Sequence, residues 1–213
     1  MTAAAVVVAH PDDETLWAGG EIMAHPDLGW VVVSLCRASD PDRARRFAEA
    51  LRALGATGVM GDLDDSPDQP PLSPEVVEKF VFDLLPARRY VRVLTHGPRG
   101  EYTRHRRHEE TCRAVLSLWC RDAIEADEVW LFAYEDDGEG GLPRPAAQAQ
   151  VRRPLSPGLW QRKLDIVTRV YGFAPGSWEF RAAPQEEAFQ PLRNRDDARA
   201  VLARACRREG EHA

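Results

Sequence analysis

His10, Asp12, Asp13 and Glu14 crowd into the six residues AHPDDE, immediately behind a run of valines. An imidazole and three carboxylates delivered to one point suit two tasks, gathering around a divalent cation or moving protons as general acid and base. A second cluster, THGPRGEYTRHRRHEET (95–111), carries His105 and His108 three residues apart, which would share one face at the start of a helix. His10, Asp13 and His108 together make the two-histidine, one-carboxylate set that catalytic zinc (Zn2+) uses, with positions left for water and substrate. Another divalent ion with the same ligand taste would fit as well. Each cluster alone has a plainer reading. The acids could cap a helix and complement its dipole, and the histidines could be solvated surface residues.

The elements that must carry these clusters decide between the readings. Short β-branched runs alternate with segments of helical period, the signature of βαβ units. AAVVVAH opens the chain, followed by GWVVVSLC (29–36), TGVMGDL (57–63), YVRVLTHG (90–97) and EVWLFAY (128–134), which predicts five strands. Phe47, Ala50, Leu51 and Leu54 repeat at helical spacing, as do Cys112, Val115, Leu116 and Trp119. Ser73 and Pro74 supply an N-cap and a first-turn proline for a helix to about Leu85. The expected fold is therefore α/β: one doubly wound, mostly parallel, Rossmann-like sheet with helices on both faces, a single domain over residues 1–213. With a strand order such as 3-2-1-4-5, the ligand crevice lies at the switch between strands one and four, beyond their carboxyl ends. AHPDDE ends the first and the histidine pair follows the fourth, so both clusters face one crevice.

Farther on, EDDGEGGLPRP (135–145) reads as a long mobile loop, a helix starts near Pro157 with Trp160, Leu164, Val167 and Tyr171 on one face, and another spans about 195–208. WEFRAAPQEEAFQPL is ambiguous between helix and strand. At 213 residues and 44% hydrophobic content the chain can build one substantial core. A net charge of −6 argues against a nucleic-acid partner, which needs a basic face. Cys36, Cys112, Cys120 and Cys206 form no C-x-x-C pair and read as buried thiols of a reducing compartment. No membrane-length apolar stretch or leader-like start is visible, so a cytoplasmic location is expected. A homo-oligomer is compatible with this sequence but not specified by it.

AHPDDE directly after an N-terminal hydrophobic strand, with a later His-x-x-His, resembles the zinc-dependent deacetylases of the PIG-L/LmbE-like family. The likeness runs through about residue 134. It implies hydrolysis of an N-acetyl group on a glucosamine-like sugar or sugar conjugate, with His10, Asp13 and His108 matching the zinc ligands. Asp12 matches the general base, and His105 the histidine that stabilises the oxyanion or protonates the leaving amine. A cationic His105 facing the oxyanion would suit that task. Glu14 is read as orienting a ligand or the helix start. Arg43, twelve residues before Gly55, falls where the family commonly grips the sugar, and Asp65 in the loop after strand three could accept sugar hydroxyls.

The chain also departs from the pattern. Arg106 and Arg107 fill the interval between the histidines where the family often has proline and an acid or amide. Tyr102 stands three residues before His105 rather than two, which places it among substrate contacts rather than as a catalytic gate. Arg99, Arg104, Arg106 and Arg107 could bind a phosphate or carboxylate on an anionic substrate, or simply be balanced by Glu101, Glu109 and Glu110. His96 is expected to bond locally, and Gly19 and Gly20 to let the first helix pack closely. Two other functions stay open: an amidase cleaving a larger acyl group, and a non-catalytic sugar- or nucleotide-binding α/β protein.

Overall fold

The valine run forms β1 (Ala3–Val8), buried along its whole length. Ala4, Val6 and Val8 enter one apolar core, and Ala3, Ala5 and Val7 another. A strand covered on both faces needs such a continuous apolar run. The computed structural model describes residues 2–66, 71–136 and 141–209, with side chains as far as residue 205. After β1 come α1 (Asp13–Ala24), β2 (Gly29–Cys36), α2 (Pro41–Leu54), β3 (Thr57–Leu63), α3 (Pro74–Leu84), β4 (Tyr90–Thr95), α4 (Arg106–Cys120) and β5 (Ala126–Phe132). The second half adds β6 (Tyr134–Asp136), β7 (Pro143–Pro145), β8 (Val151–Pro154), α5 (Pro157–Asp165), a π-helical turn (Ile166–Val170), α6 (Trp178–Ala182), β9 (Glu186–Leu192) and α7 (Arg195–Glu209).

The sheet runs β3-β2-β1-β4-β5-β9-β8. Its first five strands are parallel, in the expected 3-2-1-4-5 order, and β9 and β8 extend it antiparallel. Helices α1, α2 and α5 pack on one face, and α3, α4 and α7 on the other. Phe47, Ala50, Leu51 and Leu54, and Cys112, Val115, Leu116 and Trp119, are the buried stripes of α2 and α4. Among the described residues, no helix is long and apolar enough to cross a membrane.

Three expectations are corrected. The five predicted strands are part of a seven-stranded sheet, because the ambiguous WEFRAAPQEEAFQPL divides into α6 and β9, whose buried Glu187, Ala188 and Phe189 pair with β5 and β8. The predicted loop at 135–145 has paired flanks, since β6 and β7 form an antiparallel ribbon; residues 137–140 lie outside the described residues. The helix from Pro157 does not keep its period. It widens after Asp165 into the π turn, where Tyr171 N–H bonds back to the Ile166 carbonyl. Cys36 and Cys112 are buried thiols as expected, Cys120 is half-buried, and the Cys206 side chain lies outside the described residues.

The added strands grip α1. Fully buried Glu187 accepts Gly20 N–H and Glu21 N–H at 2.7 Å each, and Lys163 Nζ of α5 at 2.7 Å. The close approach needs a glycine: a Cβ at Gly20 would lie 2.3 Å from Leu155 Cδ2 and 3.0 Å from Glu187 Cδ. Glu187→Ala strips partners from a buried ammonium and two amides at once, and should cost about 3–5 kcal/mol in urea unfolding. Lys163→Met leaves the carboxylate its two amide donors and should cost less. Equal losses, or a loss below about 1 kcal/mol for Glu187→Ala, would contradict this reading of the junction.

Candidate metal centre

The switch point is closed by a direct contact between the two strand ends. Ala9 N–H donates to His96 Nε2 at 2.9 Å, so the residue after β4 touches the residue after β1. Pro11 turns the chain between β1 and α1, and α1 begins at Asp13 with Asp13 and Glu14 in its first turn, where carboxylates are favoured. His105 is the residue before α4 and His108 lies in its first turn.

Three side-chain atoms converge there. His10 Nδ1 lies 3.2 Å from Asp13 Oδ2 and 3.1 Å from His108 Nε2, and His108 Nε2 lies 3.3 Å from Asp13 Oδ2. A tetrahedral ion with bonds of ~2.0–2.1 Å sets its ligand atoms ~3.3–3.4 Å apart, so the triangle is already of ligand size. Each of the three is also held from behind. His10 Nε2 meets Asp65 Oδ1 at 2.9 Å, His108 Nδ1 meets Glu101 Oε2 at 2.5 Å, and Asp13 Oδ1 accepts from Trp17 Nε1 at 3.0 Å. A carboxylate behind an imidazole draws the ring proton to the outer nitrogen. The inner nitrogens are then lone pairs, and together with Asp13 Oδ2 they form three acceptors with no donor among them.

Without a metal, protons must meet that demand. Burial alone would lower His10, but its bonds to Asp13 and Asp65 outweigh burial and hold it up at about 9. For His108, burial is likewise outweighed, by the Asp13 and Glu101 charges, and the ring is held up at about 10. Glu101, which burial would raise, is held down at about 2 by His96 and His108. Protons and a divalent cation are alternative occupants of the same lone pairs.

Asp12 is placed beside the triangle by a strained backbone, with φ at 123°. For a residue with a Cβ this costs about 1–3 kcal/mol and is sustained only where the surroundings enforce it. Glu14 Oε2 accepts Asp12 N–H at 3.0 Å, and Arg43 Nη1 reaches Asp12 Oδ2 at 3.3 Å. Burial first, then the Asp13 and Glu14 charges, push the Asp12 carboxyl well above the usual range. His105 stacks on His108 with ring centroids 4.1 Å apart and meets His10 edge-on at 4.9 Å. Its Nδ1 is buried without a hydrogen-bond partner. Burial, followed by the His108 and His10 charges, pushes it down to about 4. Burial and the neighbouring imidazoles thus favour the neutral form of His105 where a cationic ring was expected.

Other predicted residues are redirected. Asp65 engages both oxygens within the protein, one with His10 and the other with Arg37 at 2.6 Å, so it orients a cluster histidine where a sugar contact was expected. Arg104 forms a two-pronged pair with Glu109, and buried Arg107 bonds Glu110 and the Asp64 carbonyl. Arg99 is exposed on the β4–α4 loop. The arginine run is thus largely balanced by neighbouring acids, although Glu101 is not one of them. Tyr102 stacks on Trp178 at 4.6 Å, and Trp178 Nε1 donates to the Gly141 carbonyl at 2.7 Å.

Two members of the cluster escape sequence reasoning. His96, fully buried, bonds Ala9 N–H through Nε2 and Glu101 through Nδ1, so it joins the two strand ends where only a local bond was expected. Glu101 clamps both His96 and His108. The available signal was position, an acid and a histidine in the loop after the strand that flanks β1. Cys36 also comes within 4.8 Å of ligand-type atoms of His10 and Asp65. Those two are already bonded to each other, and burial pushes the thiol up, away from the thiolate a metal needs.

Comparison with known structures places the fold. N,N'-diacetylchitobiose deacetylase from Pyrococcus horikoshii superposes with a TM-score of 0.66 at 15% identity, covering 90% of this chain and 84% of that one. A deacetylase of the teicoplanin biosynthesis pathway gives 0.56 at 17%, covering 80% and 84%. The 4-carboxy-2-hydroxymuconate hydratase GalB from Pseudomonas putida KT2440 gives 0.63 at 16%, covering 90% and 96%. Such likenesses establish a shared fold, and one of the three proteins is not a deacetylase. A comparison with curated protein sequences finds no match. The family model described as PIG-L, GlcNAc-PI de-N-acetylase, matches residues 5–119, which hold every residue of the cluster. Matched over more than half its length, the chain belongs to the PIG-L family.

Proposed function

We propose that this protein is a metal-dependent N-deacetylase that hydrolyses the acetamide of an amino sugar or sugar conjugate, with zinc as the natural ion. The observation that carries the reading is the triangle of His10 Nδ1, Asp13 Oδ2 and His108 Nε2, backed by Asp65, Trp17 and Glu101. When bound, a divalent cation there supplies Lewis-acid polarisation of an amide carbonyl and lowers the pKa of water toward ~7. Asp12 takes the proton of the attacking water and returns it to the leaving amine nitrogen, so that amide and water become acetate and free amine. Neutral His105 donates its N–H to the oxygen on which negative charge develops. One such donor is worth about 3–4 kcal/mol in the transition state. Arg43, already beside Asp12, is the group that meets the sugar. Because a hydratase shares this fold, the reaction is argued from these residues and not from the architecture.

Metal titration of the chelator-treated protein is expected to saturate at one ion per chain and to tighten as pH rises, because protons must leave His10 and His108. The same shifts set the metal-free stability. Both folded-state pKa values lie above the ordinary histidine value of 6.5, so their contribution is complete below about 6.5 and lost as pH rises through about 9 to 10. The melting temperature of the metal-free form should therefore fall over that window relative to the loaded form. Affinity independent of pH, or full binding by His108→Ala, would contradict the ligand assignment.

Acetate release should be assayed on free, nucleotide-linked and glycoside-linked N-acetylhexosamines, with and without zinc. Release from at least one, abolished by chelation, is expected. Asp12→Asn should keep its metal and lose about 10²- to 10⁴-fold in kcat. Metal-loaded protein inactive on every member would defeat the deacetylase reading and favour the amidase of larger acyl groups or the binding protein. A preference for phosphorylated substrates is not expected, since Arg104 and Arg107 are paired within the protein.

A further inference from the structure

Asp12, the proton carrier of the reading above, sits in a backbone conformation it would not adopt unaided. Two contacts pin it, and both lead to one segment beyond the residues that the family model matches. On the backbone side, Glu14 is fully buried, with Oε2 on Asp12 N–H and Oε1 accepting the Tyr171 hydroxyl at 2.6 Å and Thr15 Oγ1 at 2.6 Å. On the side-chain side, the Arg43 guanidinium that reaches Asp12 lies over the Phe173 ring, 5.8 Å from its centroid.

Tyr171 and Phe173 are two residues apart, and the chain between them is built to hold that geometry. The π turn Ile166–Val170 adds a residue to the helical repeat just before Tyr171, and such turns often mark functional sites. Arg46 of α2 donates through Nη1 to the Val170 carbonyl at 3.1 Å and to the Tyr171 carbonyl. Gly172 lies at φ 80°, and the same Arg46 Nη1 occupies the place its Cβ would take, 2.2 Å away. A side chain at residue 172 would displace the clamp.

We infer that the segment 166–173 is a positioning element for the base, Tyr171 acting through Glu14 on the Asp12 backbone and Phe173 acting through Arg43 on its carboxylate. The catalytic half of this inference rests on the deacetylase reading. Neither residue touches substrate in this account, and both set where Asp12 stands. The segment supplies from the second half of the chain a restraint that the motif AHPDDE cannot provide for itself.

The test uses metal-loaded Tyr171→Phe, which removes one hydroxyl, and Phe173→Leu, which keeps bulk and removes the ring. Amide exchange at Asp12, read by NMR, is expected to speed up in Tyr171→Phe. Its kcat should fall about 10- to 100-fold, the range found for partners that orient a site from behind, with KM and metal content unchanged. Phe173→Leu should lower kcat with Asp12 amide exchange as in wild type. Wild-type Asp12 exchange in Tyr171→Phe, unchanged kcat in both variants, or losses that track lost metal would overturn the inference. If wild type turns over no substrate, the deacetylase reading fails and the positioning of catalysis falls with it, while faster Asp12 exchange in Tyr171→Phe would still uphold the pinning.

Discussion

Three acceptor atoms that cannot face one another without a cation between them are the constraint on which this site depends. His10 Nδ1, His108 Nε2 and Asp13 Oδ2 lie within 3.3 Å of each other, and the groups behind them turn their lone pairs inward. Such an arrangement is unstable when empty and neutral, because buried polar groups need partners. Protons on His10 and His108 satisfy it in one state, and a divalent ion would satisfy it in another. The remaining contacts relieve that demand only in part, through the His10 backbone N–H, which donates to Asp13 Oδ2 at 3.0 Å. Asp65 and Glu101 occupy the outer ring nitrogens, Trp17 occupies the spare carboxylate oxygen, and His96, anchored to the β1 end, stacks on His108 with ring centroids 3.8 Å apart and brings its Nε2 to 3.5 Å from Asp13 Oδ2.

The sheet makes this geometry reachable. Parallel β1 and β4 lie side by side and end together, so residues 9 and 96 meet without either loop spanning a gap. The antiparallel β9 and β8 do not enter the crevice. Through Glu187 they hold α1, whose first turn carries Asp13 and Glu14, and through α5 and the π turn they deliver Tyr171 to Glu14. The N-terminal half thus provides the cluster and its immediate supports, and the C-terminal half braces α1 and Glu14 behind it.

Much of this was legible in the sequence. The order of the first five elements followed from β-branched runs alternating with helical stripes, and the convergence of AHPDDE with the histidine pair followed from topology. What escaped has a common physical character. Glu101, His96 and Asp65 act through rotamers chosen inside loops, where no periodicity reports which way a side chain turns. His105 looked suited to a positive charge, but it lies against two other imidazoles, and only proximity reveals that repulsion. The tail of the sheet was obscured because β9 alternates incompletely. Its buried Glu187 reads as a surface acid until Lys163 and two α1 amides are seen around it.

The most direct test is X-ray absorption at the zinc edge on protein loaded with one equivalent of zinc. Two imidazole nitrogens and a carboxylate oxygen at ~2.0–2.2 Å are predicted, completed by light-atom solvent. A sulfur at ~2.3 Å would place the ion at Cys36, and an all-solvent shell would mean that the triangle holds protons only; either result would contradict the account.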